Sequence, residues 1–408
     1  MKKFIALALA ILISGTLMVS CGGGGGASKT AAAYAGDFSG SDIKIGAIYI
    51  NSKDDTAGYT FAHHNGISTA LANLNIKKDG HLFIVDNVPE DKTQVLQAID
   101  TLVGQGCTII FGISFGYIDA MNEAAAMEEY QNIIFSHATG YMSNEKNFNN
   151  YFGRIYQARY LSGIAAGLKS LELGNNSVGY VAAFGTEYAE TASGINGFAL
   201  GVQSVNPDAV LHVKTINCWG DEALEKQAAE ALISTYNCCV ISQHCDSAQP
   251  QLVAQDKGVF GCGYNSDMSK QAPDAHLTAP IWNWDVYYGT AIRCAIEQPE
   301  NFMSVVGNYY GGLKELFVDI SPLSVNCSEG TKEITDAVKA LIISGEWDVF
   351  SGVKLSYTKN DDGTYTVNKA DADLKTNDGK VVLKAGGASV EDSVITGSMN
   401  YYVEGVED

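Results

Sequence analysis

Hydrophobic positions along most of the chain alternate between two spacings, which predict strands followed by helices. Residues 43–50 form a mostly apolar run, typical of a strand buried on both faces. Residues 61–74 place apolar side chains at helical spacing, and the strand–helix pair returns at 81–103 and 107–130 before a strand at 132–136. A series of this kind predicts a parallel sheet covered by helices on both faces.

A second series of the same form begins at residue 157. Its predicted helices are 157–171, 189–205, 221–235 and 249–256, and its predicted strands are 177–184, 209–217, 238–244, 258–264 and 276–281. Two such series predict an α/β protein with two doubly wound parallel-sheet lobes. Ligands of such lobes bind beyond the carboxyl ends of the strands, where the loops gather.

The division of the chain follows from these two series. We expect residues 43–155 and about 265–305 to form an N-terminal lobe, and residues 156–264 and about 306–408 to form a C-terminal lobe, with a hinge between them. Residues 345–382 are rich in Asp, Asn, Lys, Thr and Gly. They predict short exposed strands that cover the second lobe, not a third domain.

The first 42 residues have the pattern of an export signal and a tether. A basic start, the apolar run 4–13 and a small residue before Cys21 predict a signal peptide over 1–20. The end of that signal looks like a bacterial lipobox, although Met18 stands where Leu is usual. We therefore expect Cys21 to be lipidated and residues 21–42, which include Gly22–Gly26, to form a flexible leash. The alternative is an ordinary signal peptide with a chance cysteine.

The composition of the chain limits the classes of molecule that it can bind directly. The formal charge of −20 argues against nucleic acid and anionic lipid headgroups as direct partners. Eight further cysteines are scattered through apolar runs, where free cysteine behaves as a small buried hydrophobe, so we expect them to be mostly reduced. No Cys-x-x-Cys spacing occurs, and the sequence predicts neither a metal site nor a cofactor.

An enzyme is the main alternative to a binding protein. The seven histidines have no evident catalytic partner, and the chain has no Gly-x-Ser-x-Gly elbow, phosphate loop or His-Glu-x-x-His motif. We therefore predict no catalytic residue and no enzymatic activity.

Many ordered motifs across the chain resemble the basic membrane protein family of substrate-binding lipoproteins. The matching segments are 58–63, 111–117, 137–141, 159–163, 194–198, 205–208, 243–247, 266–270, 272–277, 311–314 and 401–406, with an apparent insertion around 360–383. The resemblance implies a type I periplasmic-binding-protein fold, acting as a monomer that feeds an ABC permease in the membrane. The motifs look most like the branch that binds purine bases, since residues 56–61 lack the Asp-Lys-Ser-Phe-Asn motif of the nucleoside-binding branch.

Three candidate ligand contacts lie in strand-end loops, and the resemblance implies that they touch the base. Tyr59 follows the first strand, Trp219 follows the strand 209–217, and Asp246 follows the strand 238–244. Aromatic faces and a few directed hydrogen bonds suit a flat heterocycle. Simpler roles are open for each: packing for Tyr59, cover for Trp219 and a helix N-cap for Asp246.

Four secondary candidates occupy similar loops: Phe115, Asp267, Asn283 and Trp284. Packing between lobes is at least an equal alternative for Phe115 and Trp284. For Asp267, a hinge role or helix capping is an equal alternative to recognition of a ribose or a base. Chemistry alone leaves three other functions open: a sugar-binding lipoprotein, an autoinducer-binding lipoprotein, and a receptor that signals through a membrane partner. The choice of a purine base or nucleoside rests on the resemblance.

Overall fold

The computed structural model describes residues 29–408, so the predicted signal peptide and Cys21 lie outside it. Its strands, in chain order, are β1 Ile45–Tyr49, β2 Leu82–Val85, β3 Ile109–Ile113, β4 Ile134–Ala138, β5 Phe148–Gly153, β6 Ser177–Ala182, β7 Val210–Thr215, β8 Val240–His244, β9 Phe260–Cys262, β10 His276–Thr278, β11 Pro280–Trp282, β12 Tyr309–Gly311, β13 Val318–Ile320, β14 Val353–Lys359, β15 Tyr365–Asp371, β16 Leu374–Lys375, β17 Val381–Leu383 and β18 Val406–Glu407. Its α-helices are α1 Gly58–Asn73, α2 Lys92–Gly104, α3 Ile118–Ala126, α4 Ile155–Glu172, α5 Ala189–Val205, α6 Glu222–Tyr236, α7 Gln249–Asp256, α8 Trp284–Glu297, α9 Phe302–Val305, α10 Thr331–Ser344 and α11 Asp392–Gly397. Short 3₁₀ helices lie at Lys29–Ala33, Phe115–Tyr117, Glu128–Tyr130 and Pro299–Asn301.

Two six-stranded sheets form the centres of the two lobes. The first has the order β12-β5-β4-β3-β1-β2 and the second β10-β9-β8-β6-β7-β18. Every pairing within both sheets is parallel. The predicted fold class of two doubly wound parallel-sheet lobes is therefore confirmed.

The chain crosses between the lobes three times, after β5, between β10 and α8, and between β12 and β13. At the last two crossings β11 pairs antiparallel with β13, from Pro280 opposite Ile320 to Trp282 opposite Val318. This two-stranded ribbon forms part of the hinge.

The strand pairings differ from the expected lobe boundaries at two places. Strand β10 belongs to the second sheet and β12 to the first, whereas the sequence placed residues 265–305 in the first lobe and 306–408 in the second. The predicted strand 276–281 is also two strands. Its ladder stops because the N–H of Ala279 bonds the Ser321 hydroxyl at 2.9 Å and Pro280 has no N–H to donate.

Helices α4 and α5 pack through glycine contacts beside the second sheet. An added Cβ at Gly201 would overlap the carbonyl oxygen of Tyr160, and one at Gly163 would overlap that of Phe198. Without side chains at these glycines the two helix backbones come close together. Helix α4 is consequently buried over most of its circumference, including the positions that face the hinge ribbon.

The tail beyond residue 345 packs on the second lobe and supplies part of its core. Strands β14 and β15 form an antiparallel hairpin, and β18 adds an edge strand beside β7. The predicted exposed strands are present as β15 and β17, but Trp347 is only 6% exposed and Phe350 1%. The tail therefore buries apolar surface as well as covering the lobe.

The eight cysteines between residues 29 and 408 are all unpaired, and six of them are buried. None of the helices between residues 29 and 408 combines the length and the hydropathy that a membrane-spanning helix requires.

Gly201→Ala is expected to lower the free energy of unfolding by about 1–3 kcal/mol, because overpacking forces two helix backbones apart. Gly104→Ala is the matched control, since its added Cβ meets no other part of the described structure within 4 Å beyond its own helix backbone and chain neighbours, and Ala favours a helix over Gly. Thermal unfolding followed by circular dichroism measures both. Equal midpoints for Gly201→Ala and the wild type would contradict the packing argument.

Candidate functional site

A cavity of about 240 Å³ lies between the lobes, at the carboxyl ends of the strands of both sheets. Parallel strands bring their carboxyl ends to one edge, so loops that are far apart in sequence meet there. Its lining residues are Ile50, Asn51, Tyr59, Ser114, Phe115, Thr139, Phe152, Glu190, Cys218, Trp219, Gly220, His244, Asp246, Tyr264, Trp282 and Trp284. Five of the seven predicted ligand contacts are among them: Tyr59, Phe115, Trp219, Asp246 and Trp284.

The two lobes touch where α1 begins. Gly58 has φ +84°, and an added Cβ would overlap the carbonyl oxygen of Asp246 in the opposite lobe. Glycine is required at this position because it tolerates positive φ and carries no side chain. The contact places Tyr59, the next residue, directly beside the loop that carries Asp246.

Trp219 and Asp246 are held together by their backbones. The N–H of Asp246 donates to the carbonyl oxygen of Trp219 at 3.0 Å. The indole packs edge-on against Phe184, with ring centroids 4.9 Å apart at 72°. Backbone pairing and ring packing together orient Trp219 and the Asp246 carboxyl toward one cavity.

Phe115 sits on a short turn fixed by a carboxylate of its own lobe. Glu90 accepts the Ser114 hydroxyl at 2.6 Å and the Gly116 N–H at 2.7 Å. The Phe115 ring also meets Tyr188 of the second lobe edge-on, with centroids 6.2 Å apart. It therefore contributes to lobe contact as well as to the cavity wall.

Trp284 is part of a stacked aromatic column. Its ring stacks on Trp282 at 4.6 Å and on His63 at 3.9 Å, and only 1% of Trp284 is exposed. One part of the Trp284 side chain lines the cavity, and most of its surface packs against other aromatic side chains.

Asp267 and Asn283 do not line the cavity. The Asn283 side chain donates to the carbonyl oxygen of Leu316 at 2.7 Å within the hinge. Asp267 accepts the N–H of Ser269 at 2.9 Å. Both residues lie at a shallower hollow of about 190 Å³ whose lining includes Trp282 and Trp284. Both residues lie in loops that follow strand ends, as predicted, but their side chains form hydrogen bonds with the backbone and do not face the cavity.

Several cavity residues were not predicted from the sequence, and Glu190 and His244 are the most polar of them. The Nε2 atom of His244 lies 3.0 Å from Oε1 of Glu190. Glu190 is in the first turn of α5, where the positive end of the helix dipole favours a carboxylate. The position of Glu190, in a helix start that follows a strand-end loop, is the sequence signal that could have identified it. Its pairing with His244 joins residues 54 positions apart, and the sequence carries no signal for that contact.

Burial and nearby charges shift the pKa values of Asp246 and His244. Burial, as the largest cause, and the nearby carboxylates of Glu225, Glu190 and Asp55 together raise the pKa of Asp246 to about 8. Burial and the guanidinium of Arg159 lower the pKa of His244 to about 4. Near neutral pH the cavity therefore holds a largely protonated Asp246 and a neutral His244.

No lysine or arginine is among the residues that line the cavity. The buried Arg159 stands behind the wall, with its guanidinium 4.0 Å from the ring centroid of Tyr264. Its Nη1 donates to the carbonyl oxygen of Gln243 at 3.0 Å. The positive charge is thus separated from the cavity by an aromatic ring.

Three residues around the cavity edge have left-handed backbone conformations. Thr139 has φ +62°, Asn217 +59° and Asn265 +66°, and each follows a strand of one of the sheets. Positive φ is rare for a β-branched residue such as threonine. Such conformations cluster at ligand sites, where the surrounding structure holds them.

Comparison with known proteins agrees with this architecture. Residues 43–349 match the Bmp family, described as ABC transporter substrate-binding protein PnrA-like. The chain belongs to this family. Members of the family are extracytoplasmic substrate-binding proteins that deliver a small molecule to a permease, and they are not enzymes. The predicted role as an ABC substrate-binding protein and the prediction of no enzymatic activity are therefore confirmed.

Two relatives and one solved structure show the range of the likeness. The chain is 32% identical to a purine-binding protein of Brucella abortus, over 90% of this chain and 93% of the relative. It is 33% identical to a putative ABC transporter glucose-binding protein of Haloferax volcanii, over 78% of this chain and 76% of the relative. A solute-binding protein of an ABC transporter system from Aeropyrum pernix has the same fold, with a TM-score of 0.61 and 17% identity over 78% of this chain and 95% of that one.

Between residues 29 and 408 no group of three or more His, Cys, Asp or Glu is arranged to hold a metal ion. The polar groups of the cavity are instead carboxyls, hydroxyls, an amide and an imidazole, which suit an organic ligand with N–H or O–H donors.

Asp246→Asn is expected to stabilise the ligand-free protein increasingly as pH rises from 4 to 8. An unfolded aspartate loses its proton near pH ~3.9, whereas folded Asp246 keeps it until about pH 8. Stability of the wild type therefore falls with pH across this window, and asparagine removes that loss.

Thermal midpoints at pH 5 and pH 8 measure this effect. Asp208→Asn, at an exposed carboxyl of the same lobe, serves as control. An Asp246→Asn difference that is the same at both pH values would contradict the burial argument.

Proposed function

We propose that this protein binds a purine base or nucleoside in the cavity between its lobes, for delivery to an ABC permease. The observation that carries the proposal is the pairing of aromatic rings with carboxyl groups around one small cavity. Tyr59 and Phe115 come from the first lobe, and Trp219 and Asp246 come from the second. A purine offers two flat faces for the rings and N–H groups for the carboxyls.

The size of the cavity supports a compact ligand. Its 240 Å³ lies below the ~300–1,000 Å³ of pockets that bind drug-sized molecules. A planar bicyclic ring fills such a space with little polar surface left to satisfy. The name of the Brucella abortus relative, which the chain matches along almost its whole length, points to the same ligand class.

A sugar is the second candidate, because the Haloferax volcanii relative is described as a putative glucose-binding protein. Sugars also stack on aromatic rings and donate hydroxyls to carboxylates. A pyranose presents hydroxyls around its whole rim, however, and much of this cavity wall is aromatic: Tyr59, Phe115, Phe152, Trp219, Tyr264, Trp282 and Trp284. The wall therefore favours the purine.

We further propose that the mature protein is anchored to the outer face of the cell membrane through lipidated Cys21, acts as a monomer and requires no cofactor. The support is the sequence pattern of residues 1–26, which lie outside the part of the chain that the structure describes. The family's extracytoplasmic role is consistent with an anchored body on a leash.

A purine panel is expected to raise the melting temperature of the wild type, whereas pentoses and hexoses leave it unchanged. A ligand at a hundredfold excess over its Kd stabilises by about 2.7 kcal/mol. Trp219→Ala is expected to weaken purine binding by about 5- to 150-fold, since stacking on an aromatic ring is worth ~1–3 kcal/mol per base.

Isothermal titration calorimetry measures the Trp219→Ala effect. Tyr236→Ala is the matched control, because Tyr236 is a half-buried aromatic of the same lobe that stacks on His212 away from the cavity. A melting temperature raised by a sugar and not by any purine would reject the proposed ligand. Losses below about twofold for Trp219→Ala would place the pocket elsewhere.

Cys21→Ser is expected to release the protein from the membrane fraction into the soluble fraction, because a multiply acylated cysteine holds firmly and an unmodified chain does not. Mass spectrometry of the wild-type N-terminus checks the modification itself. Cys107→Ser is the control, since Cys107 is a buried thiol of the folded body. An unmodified N-terminus beyond residue 21 would overturn the anchor.

A further inference from the structure

Glu190 gives the cavity a second carboxyl, and His244 holds it in place. Oε1 of Glu190 lies 3.0 Å from Nε2 of His244, whose side chain is 1% exposed. Among the residues from 29 to 408, the hydrogen bond to the Glu190 carboxylate is the one that His244 makes to Oε1, and none is made to Oε2. One oxygen of this carboxylate is thus occupied and the other is available to a ligand.

The position of the proton on the His244 imidazole determines whether Glu190 can act as a hydrogen-bond acceptor for a ligand. The imidazole is buried and neutral near pH 7, so only one of its nitrogens carries a hydrogen. We assign that hydrogen to Nε2, because its neighbour is a carboxylate oxygen. The other nitrogen, Nδ1, faces Gly194 and has no partner within the described chain. Glu190 therefore stays an acceptor with a defined orientation.

Asp246 and Glu190 share one small cavity whose described lining residues include no lysine or arginine. Each carboxyl can accept an N–H, so a ligand with N–H donors on two of its edges satisfies both. A free purine base has such donors: an amine or ring N–H on its six-membered ring and one N–H on its five-membered ring. In a nucleoside the sugar replaces the second of these.

We propose that Glu190, positioned by His244, accepts the N–H of the five-membered ring and thereby makes the cavity select free purine bases over nucleosides. This inference rests on the proposed function and names the part of the ligand that Glu190 recognises. Glu190 is a direct ligand contact, and His244 is a positioning residue.

Calorimetric titration with adenine and 9-methyladenine tests the inference, since the two differ by one methyl group in place of that N–H. The wild type is expected to bind adenine at least about tenfold more tightly, as hydrogen bonds to charged groups are among the strongest in proteins. In Glu190→Gln, His244 still donates to Oε1, so the new amide turns its own N–H groups toward the ligand. The adenine preference is then expected to fall to within about threefold.

Three further variants separate recognition from a structural effect. Glu187→Gln removes the same charge three residues earlier, at an exposed residue of the loop before α5, and it is expected to keep the preference. His244→Gln retains an N–H donor in place of Nε2 and is expected to keep most of it, whereas His244→Leu is expected to lose it. A purely structural role would weaken adenine and 9-methyladenine alike.

The outcomes are distinguishable. If no purine derivative binds the wild type, the proposed function fails and this inference fails with it. If purines bind but the wild type does not distinguish adenine from 9-methyladenine, the inference is overturned while the proposed function stands. That measurement needs no variant, so it holds even where Glu190→Gln does not fold. A Glu190→Gln protein that keeps the full preference also overturns it.

Discussion

The cavity exists because two segments of backbone meet without a side chain between them. Gly58 opens α1 with a left-handed φ and lies against the carbonyl of Asp246. This contact brings the end of the first sheet to the end of the second. Tyr59 and Trp219 could not wall the same space if the lobes were held further apart. A Cβ at Gly58 would therefore act on the ligand site through the distance between lobes, with no change to any ligand contact.

Closing the cavity places carboxyl groups in a region with little solvent, and this shapes what the cavity accepts. Asp246 is surrounded by other acidic groups, and the cation Arg159 lies behind the ring of Tyr264. A buried polar group without a partner costs free energy until something bonds to it. A ligand rich in N–H donors relieves that cost, whereas an anionic one adds to it. The acidic side chains of the site thus favour ligands with N–H donors, and they lower the stability of the ligand-free protein.

The hinge is bonded to the C-terminal segment that follows the family match of residues 43–349. Arg154, at the first crossing between lobes, donates to the carbonyl oxygen of Tyr310 at 2.9 Å and forms a bidentate pair with Asp392 of α11. Its guanidinium also lies 5.0 Å from the centroid of the Tyr310 ring. Bidentate arginine–carboxylate pairs are directional, so they restrict relative movement. The C-terminal segment is therefore attached to the part of the molecule that has to bend.

Repetition of strand and helix patterns was enough to predict two parallel-sheet lobes, because hydrophobic periodicity depends only on neighbouring residues. The order of motifs indicated the family, and the rule that ligands bind at strand ends led to Tyr59, Trp219 and Asp246. Tertiary structure alone decided which strand-end residues reach the cavity. Asn283 bonds to the hinge backbone, while Glu190 reaches the site by pairing with His244, 54 residues further along the chain. Contacts between distant segments have no local signature, so the exchange of β10 and β12 between lobes and the approach at Gly58 could be read only from the folded chain.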